Sequence, residues 1–286
     1  MEGKYTYDYP RAALTTDCVV FGFDGEDLKI LLITRGIEPY KGRWALPGGF
    51  MRIDETTDEC ARRELQEETG VWGVFMRQIQ SFSSLDRDPR GRVVSVAYYA
   101  LLNPSMFNSI VVAAGDDAAD AKWFPLEDVL FADFLAFDHH EIIRIAIEKL
   151  RQEIRHYPIA FELLDELFTI KQLQTVYESI LGTRFDRVNF HKKMVGISTN
   201  TIESIMESYE PTYSIKMPKM DIEPTFLMSN QAPYKKMRKE QKKNIGVLID
   251  TGEVVKGAKH KPAKIYRFDR SRFEELVGRA DFTFDF

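Results

Sequence analysis

The segment from Gly49 to Val71 constrains the fold of this chain more than any other part of the sequence. Thr56 followed by Glu59 forms a capping box, which predicts that a helix begins at this point. Gly70 is typical of the residue that follows the last helical turn, so the helix is expected to end just before it. Three glutamates then share one helix face near the C-terminal end, because their spacing is i, i+3 and i+4: Glu64, Glu67 and Glu68.

This placement of three carboxylates is unfavourable for an isolated helix. Like charges at i and i+4 repel each other by about 0.2–0.5 kcal/mol, and carboxylates near the negative end of the helix dipole cost about 0.3–1 kcal/mol each. Arg63, four residues before Glu67, offsets part of the repulsion. A divalent cation would resolve the conflict, since clustered carboxylate oxygens suit Mg²⁺ or Mn²⁺. The alternative is a solvated acidic face on a surface helix, which three glutamates alone would favour.

Two glycines precede this helix, and apolar residues lie on its opposite face. Gly48 and Gly49 follow Pro47 and predict a loop that brings backbone oxygens or amides close to a metal or a phosphate. Ala61 and Leu65 are expected to pack inward and to hold the carboxylates in place.

Nine positions of this segment match the Nudix box, G-x5-E-x7-R-E-U-x-E-E-x-G-U, in which U is a bulky aliphatic residue. The matching residues are Gly49, Glu55, Arg63, Glu64, Leu65, Glu67, Glu68, Gly70 and Val71. The chain therefore resembles the Nudix hydrolases. The resemblance implies an α/β/α sandwich with a mixed sheet, in which a loop, a helix and a second loop hold the metal.

The resemblance also implies roles for individual residues of the box. The metal ligands would be Glu64, Glu67 and Glu68, with Gly49 contributing through its backbone. Glu55 and Arg63 would shape the loop or the surroundings of the metal, and they complete the candidate catalytic set with the three glutamates. Family members cleave a nucleoside diphosphate linked to another group, by attack of a metal-activated water on phosphorus. Bound Mg²⁺ (or Mn²⁺) would neutralise the diphosphate and lower the pKa of that water.

Other segments of the first half support an α/β fold. Apolar or β-branched runs predict four strands: 17–23, 29–34, 92–102 and 121–124. The first two flank turn residues 24–27, as in a hairpin, and a long amphipathic helix is predicted at 138–156. Segments 83–92 and 121–127 resemble those of Nudix members that handle ADP-ribose.

The two halves of the chain differ in charge. Residues 1–150 hold 16 Lys and Arg against 25 Asp and Glu, whereas residues 151–286 hold 23 against 19. Such asymmetry is typical of a polyanion-binding region joined to another domain. We expect a first domain at 1–150, with the connector helix 138–156 at its end, and a second domain at 157–286.

The second half contains the elements of a winged helix-turn-helix and is expected to be mainly α-helical. Helices are predicted at 170–181 and 186–195, followed by a hairpin built from 246–250 and 265–268 with a basic loop between its strands. Candidate DNA-contacting residues on the second helix are Arg187, Asn189, His191, Lys192 and Lys193. Those on the wing are Lys259, Lys261 and Lys264, which would contact the phosphate backbone. Taken alone, such basic faces are more often simply solvated.

A long insertion separates the second helix of this motif from the wing. Residues 196–244 show weak periodicity, with a short helix expected near 201–207. A stretch of this length without regular structure is uncommon in a compact domain, so the position of the wing is the least constrained part of the prediction.

Over most of its length the chain resembles the Nudix-related transcriptional regulators, which include repressors of NAD-metabolism genes and relatives that respond to sugars such as arabinose. The resemblance rests on segments 135–159, 158–164, 168–182 and 261–268. It implies a homodimer that binds a nucleotide or sugar-derived ligand and a double-stranded DNA operator. Because the box is intact, whereas many such regulators have lost box residues, hydrolysis of an ADP-ribose-like nucleoside diphosphate derivative is also expected.

Two other functions stay open at this point. One is a plain Nudix pyrophosphohydrolase acting on ADP-ribose, whose C-terminal half serves for dimerisation or as a lid. The other is an RNA-processing Nudix enzyme with a basic domain that holds the substrate.

The sequence excludes several classes of protein. No run approaches the roughly 18 consecutive apolar residues of a transmembrane helix, and the first ten residues lack the apolar core of a secretory signal. Cys18 and Cys60 cannot form a disulfide framework or a cysteine-based zinc site. We therefore expect a cytoplasmic protein that has no membrane contact.

Overall fold

The structure, a computed structural model, describes residues 8–109, 118–196, 247–256 and 262–277. The first half of this described chain forms a seven-stranded mixed sheet. Its strands are β1 (Ala13–Phe23), β2 (Leu28–Arg35), β3 (Trp44–Ala45), β4 (Gly48–Phe50), β5 (Phe75–Phe82), β6 (Val93–Leu102) and β7 (Ala118–Pro125). The main strand order is β3-β2-β1-β6-β5, with β4 paired to β1 and β7 paired to β2.

Helices cover both faces of the sheet and continue into the second half. They are α1 (Thr57–Thr69), α2 (Pro104–Ser109), α3 (Leu126–Leu130), α4 (His139–Glu153), a 3₁₀ helix (Pro158–Leu163), α5 (Ile170–Leu181), α6 (Arg187–Gly196) and α7 (Arg270–Val277). A separate antiparallel hairpin consists of β8 (Leu248–Val254) and β9 (Lys264–Phe268).

The side-chain alternation of β1 shows how the layers are built. Cys18 and Val20 point to the face that packs against Leu65 of α1, whereas Val19 and Phe21 point to the opposite face, which α4 covers. Both faces of β1 are covered, which agrees with the nearly continuous apolar run at 18–23, and the strand pairs in parallel with β6 at the centre of the sheet. The expected α/β/α sandwich with a mixed sheet is confirmed.

Most predicted elements are present, and the differences have local causes. The four predicted strands and the hairpin turn at 24–27 are observed, with some strands longer than expected. The loop predicted at Gly48 and Gly49 is wrong, because these residues form β4 and pair with β1 in the register Thr16 opposite Gly49. Strand β5 is not apparent in the sequence, because it lies at the sheet edge and carries exposed polar residues.

The described part of the second half folds as its local signals predict. Helix α5 spans 170–181 as expected, with a capping box at Thr169 and Gly182 in the left-handed conformation at its end. Asp186 caps α6 by accepting a hydrogen bond from the Asn189 backbone N–H at 2.9 Å. Phe190 of α6 is buried and makes an edge contact with Tyr177 of α5, at 5.7 Å between ring centroids. This contact fixes the angle between the two helices.

The core of the second half is continuous with that of the sheet. One cluster of buried side chains extends from β1 through Leu150 of α4 to Ile180 of α5 and Phe273 of α7. Arg151 of α4 reinforces the contact by donating from Nε to the Ile180 carbonyl at 2.8 Å.

Some predictions fall outside the described residues. These are the insertion and its short helix at 201–207, together with the wing residues Lys259 and Lys261. In the described part of the chain, no helix combines the length and the apolar character needed to cross a membrane.

Candidate functional site

Arg63 organises the acidic face of α1. Its guanidinium donates to both carboxylate oxygens of Glu55, with Nε at 2.9 Å and Nη2 at 2.6 Å. Nη1 donates to Glu64 at 2.7 Å and to Glu67 at 3.0 Å. The contact with Arg63 lowers the pKa of Glu55 to about 2. Arg63 therefore pairs with Glu67, as the i, i+4 spacing predicts, and also with Glu64, a second predicted ligand.

Glu68 lies apart from this cluster and points toward β4. Its Oε2 accepts a hydrogen bond from the Gly48 backbone N–H at 2.8 Å. Burial, together with the nearby carboxylates of Glu64 and Asp17, raises the pKa of Glu68 to about 8. The hydrogen bond from Gly48 acts in the opposite direction but is outweighed. A carboxyl group with such a pKa carries a proton at neutral pH until a cation or a donor compensates its charge.

A side chain at either glycine of β4 would collide with a neighbour, but the neighbour differs between the two positions. A Cβ on Gly48 would lie 2.1 Å from the Thr16 carbonyl oxygen, which belongs to the backbone of β1. A Cβ on Gly49 would lie 2.4 Å from Oε1 of Glu64, the end of a flexible side chain. Gly48 thus permits the pairing of β4 with β1, and Gly49 permits the Glu64 carboxylate to approach the backbone.

This difference predicts opposite outcomes for two matched substitutions. Gly48→Ala is expected to lower the free energy of unfolding by about 1–3 kcal/mol, because backbone atoms have to separate. Gly49→Ala is expected to change stability less but to lower strongly the hydrolysis that the Nudix resemblance implies, because Glu64 has to leave its position. Thermal unfolding and a hydrolysis assay of both variants check this, and equal stability losses in the two would contradict it.

A cleft opens beside these carboxylates. Glu64 and Glu68 line it, and so do three arginines: Arg35, Arg87 and Arg90. The aromatic rings of Phe50 and Phe137 also face the cleft. The Arg90 guanidinium lies 5.0 Å from the centroid of the first ring and 5.5 Å from that of the second. The cleft combines cations, carboxylates and ring faces, which suits a phosphorylated ligand that carries a flat group.

Two polar groups on the wall of this cleft lack partners. Thr15 Oγ1 and Arg35 Nη2 are buried atoms that make no hydrogen bond within the described part of the chain. Arg35 is held in place through its Nε, which donates to the Pro39 carbonyl at 2.8 Å. Buried polar atoms are normally hydrogen-bonded, so Arg35, which lines the cleft, has a donor available for a further acceptor.

A buried ion cluster forms the floor of the cleft. Arg87 donates to Asp138 from Nε at 2.9 Å and from Nη2 at 2.8 Å, and also to Asp17 at 3.2 Å. Burial acts to raise the pKa of Asp17, but His139, Ser95 and Arg87 outweigh it and hold the pKa at about 2. His139 Nδ1 accepts the Leu46 backbone N–H at 2.9 Å, so the ring proton is on Nε2, which faces Asp17 at 3.5 Å.

The donor set of the box fits a hard divalent cation in its chemistry. Glu64 and Glu68 supply carboxylate oxygens from a rigid helix, and the raised pKa of Glu68 reflects a negative charge that lacks compensation. In the arrangement seen here, no three acidic, His or Cys side chains of the described residues form a group able to hold a metal ion. The reason is Arg63, which holds Glu64 and Glu67, and Glu67 is exposed outside the cleft.

The predicted DNA-contacting face of α6 is accessible. All five predicted residues of this helix are exposed, whereas Phe190 and Met194 are buried. On the hairpin, Lys264 is exposed and pairs with Asp250 across the strands, at 2.6 Å between Nζ and Oδ2. The helix thus separates an apolar inner side from a polar, cationic outer side.

The comparisons with known proteins agree with this geometry. A family model described as NUDIX domain matches residues 11–145, and one described as NrtR DNA-binding winged helix domain matches residues 160–209. The ADPR responsive transcriptional repressor NtrR of Acinetobacter baylyi is 36% identical over 208 residues, covering 71% of this chain and 81% of that protein. The chain belongs to the NrtR branch of the Nudix family.

Two further relatives of this Nudix protein match different parts of it. The ADP-ribose pyrophosphatase of Methanocaldococcus jannaschii is 42% identical over 134 residues, which are 47% of this chain and 75% of that enzyme. The crystal structure of Shewanella oneidensis NrtR complexed with a 27mer DNA aligns with a TM-score of 0.62 and 28% identity, covering 91% of this chain and 95% of the other. The first match is confined to about half of the chain, whereas the second spans both halves.

Sequence reasoning missed the residues that complete the cleft of the NrtR-type chain. Asp17, Arg35, Arg87 and His139 are far apart in sequence, and the sheet brings them to one edge. Two signals were available: segment 83–92, which contains Arg87, resembles that of Nudix members that handle ADP-ribose, and Asp17 is a charge within a buried strand, which needs a partner. No pattern in the sequence identifies that partner.

Proposed function

We propose that the protein is a ligand-responsive transcriptional regulator that binds double-stranded DNA through its winged helix and an ADP-ribose-like nucleoside diphosphate derivative through its Nudix domain. The observation that carries this proposal is the cleft, which is lined by Arg35, Arg87 and Arg90 together with the carboxylates of α1 and in which Arg35 has an unmatched donor. The names of the Acinetobacter baylyi and Methanocaldococcus jannaschii relatives support ADP-ribose as the ligand.

The cleft suits each part of such a ligand. Arginine guanidinium groups match phosphate oxygens in charge and in geometry, so the diphosphate would lie against Arg35, Arg87 and Arg90, which line the same cleft. Phe50, which is 45% exposed, offers a ring face on which a flat base could stack. Thr15 Oγ1 would find its missing partner in a ligand hydroxyl or phosphate oxygen.

Substitution of Arg35 tests this ligand assignment. Arg35→Gln is expected to weaken ADP-ribose binding by about 10–150-fold, because a charge-assisted hydrogen bond is worth about 1.5–3 kcal/mol. Calorimetric titration of both proteins, with EDTA present, gives the two dissociation constants. Arg11→Gln, at an exposed position outside the cleft, is the matched control. Equal affinity of the Arg35 variant and the parent would contradict the assignment.

We also propose Mg²⁺-dependent hydrolysis, with ADP-ribose giving AMP and ribose 5-phosphate. The residues that would hold Mg²⁺ (or Mn²⁺) are Glu64, Glu67, Glu68 and the Gly49 backbone. The bound cation would neutralise the diphosphate and lower the pKa of the attacking water. Arg63 would orient Glu64 and stabilise Glu55, and Glu68 would give up its proton when the cation binds.

DNA recognition would use the outer side of α6. Arg187, Asn189 and Lys192 are exposed on a helix whose inner side is fixed to α5. We propose a homodimer, because two such helices about one turn of DNA apart, roughly 34 Å, match a palindromic operator. The TM-score of 0.62 to a DNA-bound NrtR supports this use of the helix.

A gel-shift titration tests the function as a whole. The probe is a duplex carrying the DNA upstream of the protein's own gene, measured across a salt series with and without ADP-ribose. Tight, sequence-selective binding that ADP-ribose changes supports a regulator. Weak, non-selective binding together with efficient hydrolysis would instead support a plain Nudix pyrophosphohydrolase, for which the intact box is the favouring observation.

A further inference from the structure

The connector helix α4 joins the ligand cleft to the DNA-binding half by defined contacts at both ends. At its beginning, Asp138 receives both donors of Arg87, and Arg87 lines the cleft. Near its end, Arg151 donates to the Ile180 carbonyl in the last turn of α5. Between these contacts the helix is one rigid element of 15 residues, about 22 Å long. A displacement at one end is therefore transmitted to the other.

Asp138 occupies an unusual position for a residue that precedes a helix. Its side chain makes no capping hydrogen bond to α4, although an aspartate there would normally cap the helix. Both carboxylate oxygens instead bind Arg87, which is 7% exposed and shared with Asp17 of β1. The start of α4 is thus held to the sheet by one buried guanidinium.

The residue before Asp138 adds a second link to the cleft. Phe137 lines the cleft and has a φ of +50°, a left-handed conformation that is uncommon for a residue with a side chain. Its ring makes an edge contact with Tyr40, at 4.9 Å between centroids, and lies 4.6 Å from the Arg35 guanidinium. The turn into α4 is therefore held by groups that a ligand would touch.

Resting on the proposed function, we infer that Asp138 is a positioning residue that couples occupation of the cleft to DNA affinity. In the ligand-free protein, the Arg87–Asp138 contact holds the start of α4. A phosphate against Arg87 competes with Asp138 for the same guanidinium donors, so the bound state weakens this contact. Because the ligand interacts differently with the two states, it shifts the position of α4 and, through Arg151, that of α5 and α6.

The variant Asp138→Asn tests this inference. Asparagine keeps the shape but loses the charge, and its NH₂ group meets an Arg87 donor where a carboxylate oxygen was. The quantity to measure is the coupling factor, the ratio of the DNA dissociation constants with and without saturating ADP-ribose in EDTA. For the parent protein we expect a factor of about 5–150. For Asp138→Asn we expect less than about 2, with ADP-ribose affinity equal or tighter.

A second variant and a control guard against simple loss of structure. Arg151→Gln interrupts the far end of α4 and is expected to reduce the coupling factor without weakening ADP-ribose binding. Glu148→Gln lies on the exposed side of the same helix, where it pairs with Arg144, and should keep the parent factor. Calorimetry and anisotropy on each full-length protein give both affinities independently.

The outcomes separate this inference from the proposed function. If the parent protein couples ligand to DNA and Asp138→Asn couples equally well, the inference is overturned and the proposed function stands. Loss of ADP-ribose binding by Asp138→Asn would also overturn it, because the residue would then belong to the ligand site. A parent coupling factor of 1 would overturn the proposed ligand response itself, and the inference with it.

Discussion

Replacing Glu68 with glutamine is expected to lower the rate of ADP-ribose hydrolysis by about 10²–10⁴-fold, as loss of a general base or a charge-compensating ligand does. The substitution keeps the size of the side chain, and the amide oxygen can still accept the Gly48 N–H. The fold and DNA binding should therefore stay intact. The variant lacks the carboxylate charge of residue 68, which a cation bound in the cleft would require.

Two other glutamates of α1 are compared with Glu68, one as a control and one as a further predicted ligand. Glu59→Gln preserves the capping box, which accepts either residue at this position, and lies outside the cleft. It should hydrolyse ADP-ribose at the parent rate. Glu67→Gln is informative in a different way, because Glu67 is exposed and pairs with Arg63 and Arg52. A large loss there would support the predicted three-glutamate ligand set. Turnover by Glu68→Gln at the parent rate would refute the assignment of Glu68.

The second large effect is expected at the outer side of α6. The double substitution Arg187→Ala and Lys192→Ala should weaken operator binding, by about 5–150-fold for each side chain that contacts a base. If a side chain binds phosphate instead, the slope of log affinity against log salt should fall by about 0.9 for each phosphate that the variant no longer neutralises. A fluorescence titration at several salt concentrations distinguishes the two kinds of DNA recognition.

A control variant tests whether the loss of a positive charge anywhere on the protein would weaken operator binding. Arg144→Ala removes a cation from the exposed side of α4, outside the winged-helix segment 160–209, and should leave operator binding unchanged. Hydrolysis should be unaffected in all of these variants, since α6 contributes no residue to the cleft. Unchanged operator affinity in the double variant would show that another surface binds DNA.

The sequence predicted the elements whose signals are local. Helix α1 has a capping box at one end and Gly70 in the left-handed conformation at the other, and both act within a few residues of the chain. The same holds for α5, whose boundaries were predicted to the residue. Strand β4 escaped prediction because three residues are too few for periodicity, and its pairing with β1 is a long-range interaction.

The candidate site was predictable only in its contiguous part. The box places Glu64 and Glu68 on one helix, so their proximity follows from helical spacing. The rest of the cleft requires the sheet, since β1 supplies Asp17, β2 supplies Arg35, and a loop after β5 supplies Arg87. The role of Arg63 was likewise underestimated, because its contact with Glu55 depends on how the preceding loop folds back.

The uninterrupted apolar core has a consequence for how this molecule can be divided. The 3₁₀ helix buries Ile159 and Leu163 in the same cluster that contains the inner side of α4. A chain cut between the two halves would expose the apolar side chains of this shared core on both fragments. We therefore expect the described parts of the two halves to unfold as one cooperative unit, so that truncation between them destabilises both, whereas point substitutions leave the shared core intact.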